Sequence, residues 1–271
     1  MATITATDVK KLRDATGAGM MDAKKALTEA DGDFDAAVEI LRVSGQAKMA
    51  KRSDREASNG LVASSGKTVI QLGAETDFVA KNAEFMALAE SIAKAVDAAG
   101  AHGVEAANAV QLPSGQTVAE AVGELSAKIG EKLELAAAAT FDGPVTVYLH
   151  KRSQDLPPQV GVMVEYDGGD EVFVKGIAMQ IAAMSPAYVT RDEVPEDVLA
   201  NERRIAELTA KEEGKPEQII PRIVEGRLGG FFKEVVLVEQ QSVSDDKLTV
   251  GQLLKNNGVE VKRFVRFAAG A

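Results

Sequence analysis

The stretch Leu61-Val62-Ala63-Ser64-Ser65-Gly66-Lys67-Thr68-Val69-Ile70-Gln71-Leu72 decides the fold. Its two apolar runs flank a short polar segment that contains a glycine, which predicts a β-hairpin. The residues that follow have helical spacing behind Asn82, a good helix cap. The predicted apolar face of that helix consists of Phe85, Leu88, Ala89, Ile92 and Val96. A hairpin followed by an amphipathic helix predicts an α+β unit with an antiparallel sheet.

Upstream of the hairpin, the first 45 residues predict three short helices separated by glycines. Thr7 or Asp8 is expected to cap the first helix, and Asp33 the third. Gly45 is expected to end the third helix. Residues 48–59 are polar and charged with hardly an apolar stripe, which predicts a linker or a frayed helix.

Downstream, residues 101–115 are small and irregular, and Thr117 and Glu120 form a capping box. The helix that follows is expected to carry Val122, Leu125, Ile129 and Leu133. A second copy of the strand and helix plan then follows in pattern, though not in residue identity. It consists of strands at 145–149 and 160–166 and a helical face with Val174, Ile177, Ala178 and Ile181.

Two polar helical stretches, 196–213 and 216–228, are joined by Gly214-Lys215-Pro216. Their narrow apolar stripes predict an antiparallel helical hairpin over 196–228. The stripes are Val198, Leu199, Ile205 and Leu208 in the first helix and Ile219, Ile220, Ile223 and Val224 in the second. A capped helix at 249–256 and an alternating strand at 259–267 complete the expected elements.

The composition excludes several function classes. The 271 residues carry 31 Lys and Arg against 41 Asp and Glu, a net charge of −10, which argues against direct nucleic-acid binding. The absence of cysteine excludes disulfides, thiolate zinc sites and cysteine nucleophiles. No apolar run approaches the roughly 20 residues of a membrane span. The first residues lack the pattern of a secretory signal, so we expect a cytoplasmic protein with no membrane contact.

Two segments resemble ligand-binding loops but lack the required residues or spacing. In residues 60–68 five residues, not four, separate the glycines of a possible phosphate loop, and a strand follows where a helix is required. Residues 31–35 have the alternating carboxylates of a calcium loop, but Ala36 and Arg42 occupy the required glycine and glutamate positions. His102 and His150 have no nearby ligand set. These observations predict no enzyme, no cofactor and no metal site.

Two segments have a composition that is unusual for their positions. Met20 and Met21 lie at a predicted helix start, where they either pack in a core or form a partner-binding surface. Thr76-Asp77-Phe78-Val79-Ala80-Lys81 lies between a strand and a helix. Phe78 in that segment either packs the helix against the sheet or projects as a rigid wedge.

With these residues in view, the sequence resembles the bacterial translation elongation factor Ts family. The resemblance rests on blocks in the family's order along nearly the whole chain: 12–27, 76–81, 177–183, 224–227 and 249–254. Gln180 stands where other members have histidine, and Ala23 where some have cysteine.

The resemblance implies an α+β fold. Residues 1–55 would form a three-helix module of ubiquitin-associated (UBA-like) type and a linker. Residues 56–140 and 141–271 would form two related α+β subdomains with small antiparallel sheets. The second subdomain would include a protruding antiparallel coiled coil, 196–228.

The resemblance also implies a function: guanine-nucleotide exchange on elongation factor Tu (EF-Tu), both GDP-bound and nucleotide-free, during translation elongation. Leu12, Met20 and Met21 would dock the N-terminal module on the partner. Thr76, Asp77, Phe78 and Val79 would disturb its magnesium and phosphate site. The alternative is a non-catalytic binding scaffold, and a homodimer within a 2:2 complex stays open.

Overall fold

The predicted hairpin forms in the computed structural model, which describes residues 4–50 and 54–270. Strands β1 (Asn59–Ser65) and β2 (Thr68–Ala74) are antiparallel, with Leu61 opposite Leu72. Gly66 forms the turn at φ +48°, where a Cβ would lie 2.3 Å from Oδ2 of Asp97. Oδ1 of the same carboxylate accepts a 2.8 Å hydrogen bond from the backbone N–H of Lys67, so Asp97 fixes the turn.

The remaining elements come in runs of helices and runs of strands. The other strands are β3 (Leu133–Thr140), β4 (Val145–His150), β5 (Val160–Asp167) and β6 (Glu260–Ala268). Within the described residues the α-helices are α1 (Ala6–Thr16), α2 (Met20–Glu29), α3 (Phe34–Ala50), α4 (Asp77–Ala80), α5 (Ala83–Ala99), α6 (Val104–Ala109), α7 (Val118–Ile129), α8 (Glu171–Met184), α9 (Glu196–Glu212), α10 (Ile220–Val235) and α11 (Val250–Asn256). Short 3-10 turns lie at Arg191–Glu193, Glu217–Ile219 and Leu237–Glu239.

The two sheets have the same plan. The strand orders are β1-β2-β3 and β4-β5-β6, and both sheets are small and antiparallel. In each, two consecutive strands come first, helices follow, and a third strand closes the sheet against the second. The predicted second copy of the strand and helix plan is therefore confirmed.

The three N-terminal helices form their own apolar core around Leu12 and Leu27. Thr5, rather than Thr7 or Asp8, caps α1: its Oγ1 accepts from the N–H of Asp8, whose carboxylate accepts from the N–H of Thr5. The prediction was wrong because Asp8 is the other half of this capping box. Asp33 caps α3 as predicted, since its Oδ1 accepts from the N–H of Ala36.

Gly45 does not end α3, which runs to Ala50. A Cβ at Gly45 would lie 3.1 Å from Cβ of Ala127, so this glycine allows α3 and α7 to approach closely. The predicted linker at 48–59 thus begins as helix. It includes residues 51–53, which lie outside the described part of the chain.

Strand β3 is the main element that the sequence pattern missed. The sequence pattern places Leu133 in the helix after Thr117, but Gly130 ends α7 in the left-handed conformation, at φ +89°. Leu133 then begins β3, an alanine-rich strand that pairs with β2 along its length. The irregular segment 101–115 also contains α6, which the prediction lacked.

Helices α9 and α10 pack on each other as the predicted hairpin, and α10 continues to Val235. The seam differs from the predicted stripes, because Ile205, Leu208 and Ile219 are exposed. Its buried residues are Ala206, Ala210, Ile220 and Leu228. Arg227 joins the helices across the seam, donating to Glu213 at 2.7 Å and to the carbonyl of Ala206 at 3.4 Å.

The chain divides into two compact units. The first comprises Met1–Phe141, Leu149–Gly161 and Phe267–Ala271, and the second comprises Asp142–Tyr148 and Val162–Arg266. Each has an apolar core between its helices and sheet strands. The division at residues 55 and 140 stays a prediction. Among the described residues no helix is both long enough and apolar enough to cross a membrane.

Candidate functional site

Residues 75–82 connect β2 to α5, and we call them the wedge loop. The loop contains α4, a single helical turn. It is short because Asn82 begins the next helix: Oδ1 of Asn82 accepts from the N–H groups of Glu84 at 2.8 Å and Phe85 at 3.2 Å. Because Asn82 caps α5 directly after the single turn of α4, the two helices are separate.

The side chain of Phe78 projects from this turn into solvent. It is 80% exposed, whereas Val79 and Ala80 beside it are buried at 6% and 1%. Val79 belongs to the same apolar core as Phe85 of α5. Of the two readings of Phe78, the structure therefore supports the projecting side chain, with Val79 as the residue that packs the loop against the sheet.

Thr76 is clamped at the base of the wedge loop by Glu131, which follows α7. The backbone N–H and Oγ1 of Thr76 both donate to the Glu131 carboxylate, at 3.1 and 2.9 Å. These bonds occupy the hydroxyl, so Thr76 does not cap α4 although it holds the cap position. A carboxylate that accepts two bonds from one residue restrains both its backbone and its side chain.

Asp77, the first residue of α4, is half-exposed. Its nearest ion-pair partner is Lys81 one turn later, with Nζ 4.0 Å from Oδ2. An exposed pair at this distance contributes little free energy. The Asp77 carboxylate can therefore exchange this contact for another at small cost.

The N-terminal module separates the three residues predicted to dock on a partner. Met20 is 47% exposed and Met21 77%, both in the first turn of α2. Leu12 is completely buried in the core of the three helices. Met20 and Met21 therefore lie on the surface of the module, whereas Leu12 packs in the core beneath them.

The turn before the methionines is built from glycine and threonine. Gly17 ends α1 at φ +68°, a conformation that glycine adopts without strain. Oγ1 of Thr16 donates to the carbonyl of Leu12 at 2.7 Å and accepts from the N–H of Ala18. These bonds close the end of α1 and set where Met20 begins the next helix.

Comparison with known proteins identifies the family. The family model described as elongation factor TS matches residues 75–271, from the wedge loop onward. Elongation factor Ts of Cutibacterium acnes is 68% identical over 267 residues, which cover 98% of this chain and 99% of the relative. Those of Nocardioides sp. and Mycolicibacterium smegmatis are 59% and 57% identical, covering all of this chain and 100% and 99% of their own lengths.

The chain belongs to the elongation factor Ts family. Members of the elongation factor Ts family act in the elongation stage of protein biosynthesis, and this chain is therefore a translation elongation factor. The full coverage of the relatives extends the match to the N-terminal module, which precedes the region of the family model. The resemblance drawn from the sequence blocks, and the mixed fold it implied, are confirmed.

Gln180 is buried in the second unit. Its Nε2 donates to Oε1 of Gln240 at 3.2 Å and to the carbonyl of Gln241 at 3.1 Å. Its Oε1 accepts from the N–H of Val243 at 2.7 Å. The amide therefore ties α8 to the segment after α10 from inside.

The alternative chemical motifs adopt other roles. Residues 60–68 form the hairpin instead of a phosphate loop, and Asp33 serves as a helix cap. Nδ1 of His102 lies 3.1 Å from the carbonyl oxygen of Thr140. No group of three or more histidine or acidic residues in the described ranges has the arrangement of a metal site.

Sequence reasoning missed two residues that organise the site, Glu131 and Lys128. Lys128 lies in the last turn of α7 and Glu131 just after the helix, and each is more than 40 positions from the residue that it contacts in α5 or the wedge loop. Gly130 is the residue that could have indicated them, because a glycine often ends a helix and the side chains after it no longer follow the helical spacing.

Proposed function

We propose that the chain is a guanine-nucleotide exchange factor for EF-Tu, promoting the release of GDP without chemical catalysis. Membership of the elongation factor Ts family supports this role. The partner is bound both with GDP and without nucleotide. Neither direct nucleic-acid binding nor membrane contact forms part of the proposal, and the site of action is the cytoplasm.

The observation that carries the proposal is the exposed ring of Phe78 on a restrained base. A large apolar side chain left in water loses the free energy that its burial would supply, about 1.5 to 3 kcal/mol. Val79 in the core and the Glu131 clamp on Thr76 hold the ring outward. Such a ring supplies binding energy only when a partner offers it a cavity.

The exchange mechanism follows from reciprocity between two ligands. If the chain binds nucleotide-free EF-Tu more tightly than the GDP complex, it must weaken GDP binding by the same factor. Phe78 produces that difference when the cavity for its ring opens only after the phosphate-binding segments of the partner have moved.

Asp77 adds an electrostatic contribution beside the ring. Among the described residues its half-exposed carboxylate has one ion-pair partner, Lys81, at a long 4.0 Å. Placed near the nucleotide, it competes for ligands of the magnesium ion and repels the phosphates. Both the magnesium and the nucleotide belong to the partner, so this chain supplies only the perturbing charge.

Met20 and Met21 form a second docking surface on the same partner. Their flexible, exposed side chains suit an apolar contact, and Leu12 shapes that surface from beneath. The second unit would hold another domain of the partner. A homodimer within a 2:2 complex stays a prediction.

The test is release of a fluorescent GDP analogue from EF-Tu, chased with excess unlabelled GDP. Catalytic amounts of the chain are expected to accelerate release strongly. A scaffold would instead form a complex with GDP-loaded EF-Tu and leave the release rate unchanged. That second outcome, with the complex demonstrated by sedimentation, would reject exchange.

A further inference from the structure

The end of α7 contacts the segments that carry both proposed docking surfaces. We call residues 128–132 the clasp. Within it, Glu131 binds Thr76 at the base of the wedge loop. Nζ of Lys132 donates at 2.8 Å to the carbonyl of Arg55, in the segment that follows the N-terminal module. The clasp thus touches the wedge loop and the chain leading out of the module.

Lys128 connects the module itself to α5. Its aliphatic stem lies over Gly17: a Cβ built at Gly17 would be 2.4 Å from Cγ of Lys128. Only glycine leaves room for the lysine there. Nζ of Lys128 then donates to both carboxylate oxygens of Glu84, at 2.8 and 2.7 Å. Gly17 begins the turn to Met20, and Glu84 lies in the first turn of the helix after the wedge loop.

A second close contact lies on the same helix. Gly45 of α3 faces Ala127 of α7, and a side chain at Gly45 would be only 3.1 Å from the alanine Cβ. The module therefore packs on α7 through two glycines at points far apart in its sequence. Two separate contacts of this kind restrain rotation as well as distance.

We propose that Lys128 is a positioning residue, and that the clasp holds Met20 and Met21 in a fixed orientation relative to Phe78. One partner then meets both surfaces in a single docking event. This inference rests on the proposed function for its consequence in exchange, whereas the fixed orientation is a property of the chain alone.

The physical effect of the clasp is preorganisation. When two surfaces bind one partner, contact at the first raises the effective concentration of the second, provided that their geometry fits. A module free to rotate loses part of that gain because it must be ordered on binding. Loss of the clasp should therefore raise the concentration needed for half-maximal exchange and leave the maximal rate, which Phe78 sets, unchanged.

Two substitutions separate the stem of Lys128 from its charge. Lys128→Met keeps the stem over Gly17 but loses the ion pair with Glu84, and Lys128→Ala loses both. Because the Lys128 and Glu84 side chains are exposed, their charges contribute little and the stem should matter more. Lys94→Ala, at an exposed lysine of α5, is the matched control.

The first experiment measures the orientation directly. The full chain has no cysteine, so Glu29→Cys and Glu90→Cys, both at exposed positions, accept a pair of spin labels. Pulsed electron paramagnetic resonance should give a narrow distance distribution in the parent and in Lys94→Ala. It should broaden clearly in Lys128→Ala and less in Lys128→Met. An unchanged distribution in Lys128→Ala would overturn the positioning role.

The second experiment measures GDP release from EF-Tu over a range of factor concentrations. For Lys128→Ala we expect the half-saturating concentration to rise roughly threefold to tenfold at an unchanged maximal rate. If the parent accelerates release and Lys128→Ala has the same half-saturation, this inference fails alone. If the parent accelerates nothing, the proposed function fails, and the distance distributions still decide whether the clasp exists.

Discussion

Replacing Phe78 with alanine should strongly reduce exchange activity while leaving the fold intact. The ring is 80% exposed, so the free chain loses almost no packing, and its stability should change by less than about 0.5 kcal/mol. If that exposed surface is buried in the partner, about 2 kcal/mol of binding free energy disappears. This corresponds to roughly 30-fold in affinity or in rate.

The loss should fall unequally on the two forms of EF-Tu. Phe78→Ala should weaken binding to nucleotide-free EF-Tu by roughly 30-fold and binding to the GDP complex much less, because only the open form accommodates the ring. The assays are calorimetric titration of both forms and release of a fluorescent GDP analogue.

Lys94→Ala, at an exposed residue of α5 outside the proposed docking surfaces, is the control and should match the parent in both assays. Equal weakening of both EF-Tu forms by Phe78→Ala would refute the reasoning, because a wedge must discriminate between them. So would a release rate within about twofold of the parent, given that a lost wedge predicts roughly 30-fold.

Three further predictions concern the supports of the site and of the second unit. Val79→Ala should cost about 1 to 2.5 kcal/mol of unfolding free energy, because Val79 is buried in the core; a calorimetric melting temperature equal to that of the parent would contradict this. Glu131→Ala should speed amide hydrogen exchange at Thr76, because the substitution removes the hydrogen-bond acceptor of the Thr76 N–H. Equal protection of Thr76 in the parent and in Glu131→Ala would show that Glu131 does not restrain the wedge loop. The hydrogen bond from Arg263, reinforced by an N–H of the backbone, lowers the pKa of Glu165 below its usual value. The stabilisation by Glu165 is therefore fully present above the ordinary glutamate pKa and is lost as pH falls through the lowered pKa of the folded state, so urea titrations should show the parent's advantage over Glu165→Gln shrinking as pH falls below 4.5.

The elements predicted best were those set by interactions between residues close together in the sequence, such as turns and helix caps. The glycine turn of the first hairpin and the caps at Asn82, Thr117 and Thr249 each satisfy backbone groups within a few residues. Such interactions depend on spacing alone and can be read from the chain. The exposed methionines could also be predicted from the sequence, because two methionines at a helix start are unusual.

The errors have a common cause in tertiary packing. Strand β3 is rich in alanine, a residue with low preference for strands, and it forms because β2 offers an unpaired edge. Gly45 suggested a helix end, but contact with α7 decides its role. Leu12 is predicted to dock together with the methionines, yet its side chain lies in the core of the three helices.

The residues that hold the candidate site in place could not be predicted from the sequence pattern either. Phe78 and Asp77 were found as an unusual pair on a loop, but nothing local indicates that Glu131 holds Thr76 or that Lys128 covers Gly17. Those contacts join segments 55 and 111 residues apart, and only the pairing of β2 with β3 brings the end of α7 beside the wedge loop.

The most direct test of the central claim is reciprocity. The affinity of EF-Tu for GDP would be measured with and without a saturating concentration of this chain. The affinity of the chain would be measured for EF-Tu with and without GDP. GDP should bind EF-Tu more tightly without the chain than with it, and the chain should bind EF-Tu more tightly without GDP than with it. The two ratios of affinities should be equal, since they describe one coupling free energy. Equal affinity of the chain for the two forms of EF-Tu would contradict it.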